Sequence, residues 1–474
     1  MDRITGGGEP LLYLKNTPKL LIKRPLIFIV ISVIIGNLTY LITNRSLIGV
    51  IIFITSIIFF SFILLDKNFF IILAGFFLLS LLSSLFYYSI NENKNSIYTV
   101  KIHTVQNSKI VGIFRGRRVY VNNLSKGIKT GSIVTFKGKF KKNLDIENGI
   151  VGYMFIKSEI ASKKRYNYYI DRLSEKYFEK IQSILGESKS ALITALVFGN
   201  KNFLSYSQKN NLSNLGVIHL ICISGLHVSL LFMYINKILN SKVSIFICGI
   251  YIIMIGCPIS AVRAFIMTFL MVASKKNFKT YDSVSALCLA AIVLIFYKPY
   301  TLYESGFILS FLATLGIILF HKSFSKAFYI FPSYISSSLS ITLAAQGFIY
   351  PYMVLKFNTF SMNFLFGGFL LTPIISLMLP LGFLTIVFLF SIKILNVICI
   401  LINILFLVLN GMLIFLNKIA LESVFIHNFY GVFYLVIFFC MYMSYKGFER
   451  FNIIVYSMYP LIILFFLYTQ RTML

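Results

Sequence analysis

Charge is scarce in this chain. Only 12% of its 474 residues are charged, while 58% are hydrophobic. Soluble domains carry about 25% charged residues, so the length does not translate into two or three soluble cores. Most apolar surface must face lipid or neighbouring helices, and the chain reads as a polytopic α-helical membrane protein with one soluble insert. Acid is scarcer still: 15 Asp+Glu stand against 44 Lys+Arg, a formal net charge of +29. That balance suits an anionic partner, nucleic acid or anionic lipid. Abundant Lys, Asn, Ile, Phe and Tyr are also what an AT-rich genome supplies, so the charge alone is a weak functional clue.

Cysteine is sparse, and no two cysteines form a CxxC. Cys222, Cys248, Cys257, Cys288, Cys399 and Cys440 all lie in apolar segments, where free cysteine packs as a small hydrophobe. Neither a disulfide framework nor a zinc site is implied. HExxH and HxHxDH do not occur, and no G-x-x-x-x-G-K-[ST] loop is present, so the chain is not expected to be its own ATPase. No metal or cofactor is expected. Residues 1–24 are polar and basic, and no small-residue cleavage site follows the apolar run from Pro25. A cleavable signal peptide is therefore not expected.

Apolar runs at 25–43, 47–65 and 69–88 each approach the ~20 residues that cross a bilayer. The positive-inside rule keeps the basic tail, 1–24, in the cytoplasm. Three crossings over 25–88 then put 89–185 outside. That segment changes character, with short alternating runs at Ile97–Ile102, Lys109–Phe114, Arg118–Val121, Ser132–Phe140 and Ile150–Ile156. Turn signals at Asn122-Asn123, Lys126-Gly127 and Asn148-Gly149 separate several of them. Five short strands so spaced suggest a small β-barrel, OB-like in type. The insert holds about nineteen Lys/Arg against about seven acids, a balance that draws anions. Arg115, Arg117 and Arg118 cluster, and Lys137, Lys139 and Lys141 would share one face of a strand. Tyr120, Phe136, Phe140 and Tyr153 are either stacking platforms for single-stranded nucleic acid or barrel core, the commoner fate of aromatics.

Residues 166–200 read as helical and partly amphipathic. Within the polytopic core, 186–474, spans are expected near 212–236, 243–257, 259–274, 283–298, 303–321, 335–356, 394–419, 429–445 and 452–468. A further stretch, 361–393, is one long span or two short ones broken near Pro373 and Pro380. The total is about twelve.

Polar residues inside this block carry the chemistry. Gly216 to Leu230 holds His219, Ser224, Gly225 and His227 in an apolar setting, where imidazoles are costly unless they face protein or water. Ser224-Gly225 marks a place where a helix can break or another backbone can approach. On an unbroken helix the two histidines would sit about 12 Å apart along the axis and could line one cavity. Each could equally hydrogen-bond a neighbouring helix. Arg263, after Gly256, Pro258 and Ser260, needs an acid, carbonyls, water or a phosphate. Asp282 and Glu304 are the available acids. Gly306, Ser310 and Gly316 suit close helix packing.

Taken together, three ordered motifs resemble the membrane core of the ComEC-type competence proteins. His219 to Val228 is similar to that family's HLxxISGLHV signature, Ser260 to Ala264 to its S-x-x-R-A element, and Gly306 to Phe311 to its GFxLSF element. Asp282, Ala286-Leu287 and Pro299 fall at fitting positions, and the likeness runs over about 25–450. The resemblance implies a channel in the bacterial inner membrane that passes single-stranded DNA into the cytoplasm during natural transformation. In family terms the external β-domain meets DNA, with Arg115, Arg117, Arg118, Lys137, Lys139 and Lys141 as contacts. His219, Ser224, Gly225, His227, Ser260, Arg263, Asp282 and Ser310 would line the path or touch the strand. Longer members continue into a metallo-β-lactamase-like domain. Its absence here implies a separate nuclease, beside a surface DNA receptor and a cytoplasmic motor or single-strand-binding protein. One position departs: Phe357, Ser361 and Pro373 fit a further element, but Gly368 stands where members often carry Asn. Two other functions stay open. The same surface would serve a transporter of another anionic polymer or anion, and Ser224 with His227 could form an intramembrane hydrolase dyad. Against the latter, Cys222 occupies the first position of the rhomboid-type G-x-S-G pattern.

Overall fold

The computed structural model describes residues 24–43, 67–90, 96–106, 109–123, 131–146, 148–163, 166–360 and 363–419, with a few positions between 424 and 436. Expected spans at 47–65, 429–445 and 452–468 lie wholly or largely outside the described residues, as does Ser361.

Two parallel helices come first among the described residues, α1 (Pro25–Thr43) and α2 (Lys67–Tyr88), with Phe28, Ser32, Gly36 and Tyr40 meeting Phe69, Leu73, Phe77 and Tyr88 in turn. Their axes come close because Gly36 offers no side chain: a Cβ there would collide with the Phe77 carbonyl. Ser32 Oγ donates to the Leu73 carbonyl at 2.6 Å and Ser80 Oγ to that of Val33 at 2.7 Å. In an apolar medium such bonds satisfy groups that water cannot reach.

A closed five-stranded barrel follows, built of β1 (Ser96–Gln106), β2 (Lys109–Phe114), β3 (Arg117–Asn122), β4 (Ile133–Asp145) and β5 (Ile150–Lys163). The order around it is β1-β2-β3-β5-β4, with β3 and β5 parallel and all other neighbours antiparallel. Closure removes the free strand edges. Alternation along β4 is clean: Val134, Phe136 and Phe140 are buried while Lys137, Lys139 and Lys141 are exposed. Arg115 and Gly116, both at positive φ, form the two-residue β2–β3 connection, a turn whose twist matches the strands it joins. The expected strands all appear, and β1, β4 and β5 extend further than their alternation suggested.

α3 (Tyr166–Leu185) leads into α4 (Glu187–Phe198), a helix buried from Ser190 to Val197. The expected span at 212–236 is not one helix. It divides into α5 (Tyr206–Asn214), the single turn α6 (Ile218–Ile221) and α7 (Gly225–Ile238). Then come α8 (Ser241–Met254), α9 (Ile259–Lys276), α10 (Ser283–Tyr297), a 3-10 turn at Pro299–Tyr303, α11 (Ser305–Ala327) and α12 (Ser333–Phe357). α13 (Asn363–Val387) is one helix with both Pro373 and Pro380 inside it, so the stretch does not split in two. α14 (Ile392–Ile419) completes the described core. Among the described residues, five helices are long and apolar enough to cross a membrane: α2, α11, α12, α13 and α14. Shorter apolar helices lie at Pro25–Tyr40, Ser241–Met254 and Ser283–Tyr297. The expected total of about twelve is thus met only in part.

Barrel and helices share an interface. Buried Tyr40, Tyr87, Tyr88 and Tyr300 extend the apolar core of the barrel into the ends of the helices beneath it. Tyr87 donates its hydroxyl to the Gly149 carbonyl at 2.9 Å and accepts the Arg118 amide at 3.0 Å. Gly149 lies directly on the Tyr300 ring at φ +69°, a place and a conformation that exclude a Cβ. Asn37 reaches the Pro299 carbonyl at 2.9 Å, and Tyr303 returns a bond to Asn37 Oδ1 at 2.7 Å.

Candidate functional site: the helix break at Ser224 and the basic face of the barrel

The signature stretch folds as two helices because its middle cannot continue the first. Cys222 and Ser224 take extended conformations, and α7 starts afresh at Gly225. His227, in the first turn, accepts the Ser224 backbone N–H at Nδ1 (3.3 Å), with Ser224 Oγ 3.2 Å from the same nitrogen. The ring therefore caps its own helix, the role a Glu or Gln plays in a capping box, with its proton assigned to Nε2. It is fully buried. This geometry serves the helix start rather than a hydrolase dyad, since Nδ1 already receives the backbone proton.

His219 behaves differently. It sits on α6, is exposed, and its Nδ1 donates to the Gly216 carbonyl at 2.9 Å. The two histidines do not share one continuous helix, because the break separates α6 from α7 and leaves His219 exposed and His227 buried. A second break precedes Arg263: Gly256 and Cys257 both have positive φ, and Pro258 caps α9. Ser260 Oγ donates to the Ile223 carbonyl at 2.8 Å, tying the two breaks together.

Arg263 is 9% exposed. Its Nη1 donates to the Ser310 carbonyl and to Thr314 Oγ1, both on α11. Its guanidinium carbon stands 5.8 Å from the Phe311 ring centre. On the other side, a Cβ added to Gly225 would lie 2.8 Å from Nη2. The three sequence motifs thus meet at one guanidinium, whose contacts are Gly225 from the first, itself from the second and the Ser310 carbonyl from the third. Neither acid pairs with it. Asp282 caps α10 through the Ser285 amide (2.9 Å) and hydroxyl (2.6 Å) and meets Arg24 at 3.0 Å. Its partial burial works against ionisation, but the Ser285 bonds and Arg24 prevail and lower its pKa. Glu304 goes to the barrel, where Oε1 accepts Arg118 Nη1 at 2.6 Å. Of the two glycines among the small residues of α11, Gly316 makes the close approach expected and Gly306 does not. A Cβ at Gly316 would collide with the Ala344 carbonyl, whereas one at Gly306 would meet nothing. Thr314 and Phe311 were not legible as partners, because only the α9–α11 packing brings them to Arg263. A Cβ at Gly368 would make ordinary contact with Thr342.

Cys248 and Cys399 are buried as expected, but Cys257 is exposed. Cys222 Sγ accepts from Lys201 Nζ at 2.7 Å and lies 3.3 Å from the Ile218 carbonyl. Both departures stem from the helix breaks, which lift these residues out of regular packing. Cys440 lies outside the described residues. No group of three or more His, Cys, Asp or Glu gathers as for a metal among the described residues.

On the barrel, the six basic candidates separate into two sets. Arg118 is committed to docking, as its guanidinium binds Glu304, lies 4.3 Å from the Tyr300 ring centre and contacts the Asn148 carbonyl at 3.3 Å. Arg117 Nη2 donates to the Phe86 carbonyl at 2.5 Å and covers the Phe86 ring. Those two leave the expected nucleic-acid surface because the strand that carries them faces the membrane core. Arg115 remains exposed at the hairpin tip. Lys137, Lys139 and Lys141 line the outer face of β4, opposite Ser158, Phe155 and Tyr153 of β5. Phe136 and Phe140 belong to the core, while buried Tyr120 packs against half-buried Tyr153, rings 5.1 Å apart. Burial and then Asp145 raise the Tyr120 pKa, so the phenol stays neutral. Sequence reasoning missed Phe155, 38% exposed and in register with Lys139. Its odd position in the alternation of β5 was the available signal.

The competence protein family, described as "Competence protein", matches the chain over residues 196–448. ComE operon protein 3 of Bacillus subtilis (strain 168) is 28% identical over 210 residues, 42% of this chain and 26% of that relative. An uncharacterized protein of Aquifex aeolicus (strain VF5) is 30% identical over 183 residues, 37% of this chain and 42% of the relative. Uncharacterized protein MG316 of Mycoplasma genitalium is 30% identical over 175 residues, covering 34% and 44%. The matched region thus spans less than half the length of each of these relatives. No solved structure matches the chain. The family match includes all three motifs that converge on Arg263, and the chain belongs to the competence protein family.

Proposed function

We propose that the chain forms a channel in the inner membrane that takes single-stranded DNA into the cytoplasm during transformation. The observation that carries this reading is the row Lys137, Lys139, Lys141, exposed on the outer face of an OB-like barrel that is docked on a membrane core. Alternate residues on a strand lie about 6.8 Å apart, a spacing that lets successive ammonium groups follow an extended phosphate backbone. Phe155 and Tyr153 beside them offer faces for bases, which stack without sequence preference. In this reading the strand passes from the barrel to the buried polar cluster around Arg263. A surface receptor, a separate nuclease and a cytoplasmic motor or single-strand-binding protein act with the channel.

Labelled DNA uptake tests it. Cells lacking the chain should bind DNA at their surface but bring no nuclease-protected label inside, and Lys137→Gln/Lys139→Gln/Lys141→Gln should lower internalised label at matched membrane levels. Undiminished internal label in the deletion strain sinks the proposal. On the purified full chain, removing three phosphate contacts should reduce the slope of log affinity against log salt by about 2, at roughly 0.7 per contact for single strands.

A further inference from the structure

Arg263 poses an electrostatic problem that the described contacts do not solve. A buried cation is tolerated where a carboxylate or another anion meets it. The two acids within reach in the sequence, Asp282 and Glu304, are paired with Arg24 and Arg118 and not with Arg263. Its bonds to the Ser310 carbonyl and Thr314 hydroxyl engage only Nη1. A guanidinium has five N–H donors, and Nε, buried, has no partner among the described residues. Nη2 rests on Gly225, the first residue of α7. The first amides of a helix lack intrahelical acceptors and carry its partial positive charge. Ser224 N–H is taken by His227, but Gly225 and Leu226 follow it in the same turn. Two positive groups therefore face each other at the break. That arrangement is repulsive as it stands and favourable once an anion bridges both groups from the open side of the break. Ile223 to Leu226 and Ser260 are partly exposed, so the break is not sealed.

We propose that the α7 N-terminus and Arg263 form a binding site for a single phosphate group. Gly225 and Leu226 N–H together with Arg263 Nε and Nη2 donate to its oxygens. Resting on the channel reading above, the ligand in service is one backbone phosphate of the passing strand. Free phosphate shares the chemistry. Gly225 is required because any Cβ would push Nη2 away.

The test uses the full chain in lipid nanodiscs, carrying Lys137→Gln/Lys139→Gln/Lys141→Gln so that surface lysines do not bind the probe. Thermal melting is followed against inorganic phosphate at constant ionic strength. Phosphate should raise the melting temperature saturably. Arg263→Gln and Gly225→Ala should each weaken half-saturation about tenfold, as loss of a charged hydrogen bond does, with Arg263→Lys falling between. Thr314→Val, which removes one of the two acceptors that hold Nη1 while keeping the charge and the side-chain volume, should tighten it severalfold. An equal phosphate response in wild type, Arg263→Gln and Gly225→Ala overturns the site. If those two do not fold, an unchanged response in Thr314→Val overturns it. A short single-stranded oligonucleotide should compete with phosphate, and its methylphosphonate counterpart should not. Phosphate saturation without competition by either keeps the site but overturns the backbone as its ligand, whereas the channel reading itself stands or falls on the uptake assay.

Discussion

Replacing Glu304 with Gln should loosen the barrel from the helices without unfolding it. The Arg118–Glu304 contact is a 2.6 Å charged hydrogen bond whose side chains are 21% and 22% exposed. Fully exposed pairs couple by about 0.2–1 kcal/mol, and breaking a buried pair costs about 3–5 kcal/mol. An intermediate site should couple by about 1.5 kcal/mol on that scale. Arg118→Met loses more, because the guanidinium also lies over Tyr300, a contact worth about 1 kcal/mol. Docking can be read at one atom: the Arg118 amide donates to the Tyr87 hydroxyl across the interface. Native-state hydrogen exchange of the peptide containing residue 118 should speed up about tenfold in Glu304→Gln. It should speed up further in Arg118→Met, and little more in the double variant. Strand β4 around Val134 and Phe136, held by the barrel's own core, should exchange as before. Equal exchange at residue 118 in wild type and Glu304→Gln would refute the latch. Additive effects in the double variant would show that the two residues act independently.

Two further outcomes follow from packing and charge. Gly316→Ala should separate α11 from α12, because the added methyl meets the Ala344 carbonyl; a loss of about 1–3 kcal/mol is expected, seen as a lower melting temperature in nanodiscs, whereas Gly306→Ala, with open space around it, should change little. Asp282 titrates below the usual carboxylate range in the folded chain. The stability it contributes is thus present above its unfolded pKa of about 3.9 and fades as pH falls through its lower folded value. Asp282→Asn should flatten that acid-side loss in a melting-temperature profile, and a profile of unchanged steepness would count against the Arg24–Asp282 pairing.

Much of the architecture was legible from local pattern. A two-residue period fixed which side of β4 is wet, since Val134 and Phe136 alternate with lysines. Long apolar runs announced α11, α12 and α14, and Gly225, Gly256 and Pro258 announced the helix breaks, because backbone freedom is a property of single residues. Partnership was not legible. Arg117 and Arg118 look like any basic cluster in the sequence, yet they contact Phe86 and Glu304, 186 positions away from Arg118 in the latter case. Asp282 and Glu304 were the obvious partners for Arg263, but Arg24 and Arg118 hold them. The two prolines of α13 left open one long span or two short ones, and the structure has a single helix. Sequence alone determined where the chain is apolar, where it alternates and where it can bend, since those depend on residues within a turn or two. Only the tertiary structure decided which charges neutralise each other and that three distant motifs meet at Arg263. Coulomb and hydrogen-bond partners are chosen by distance in space, which the order of residues does not specify.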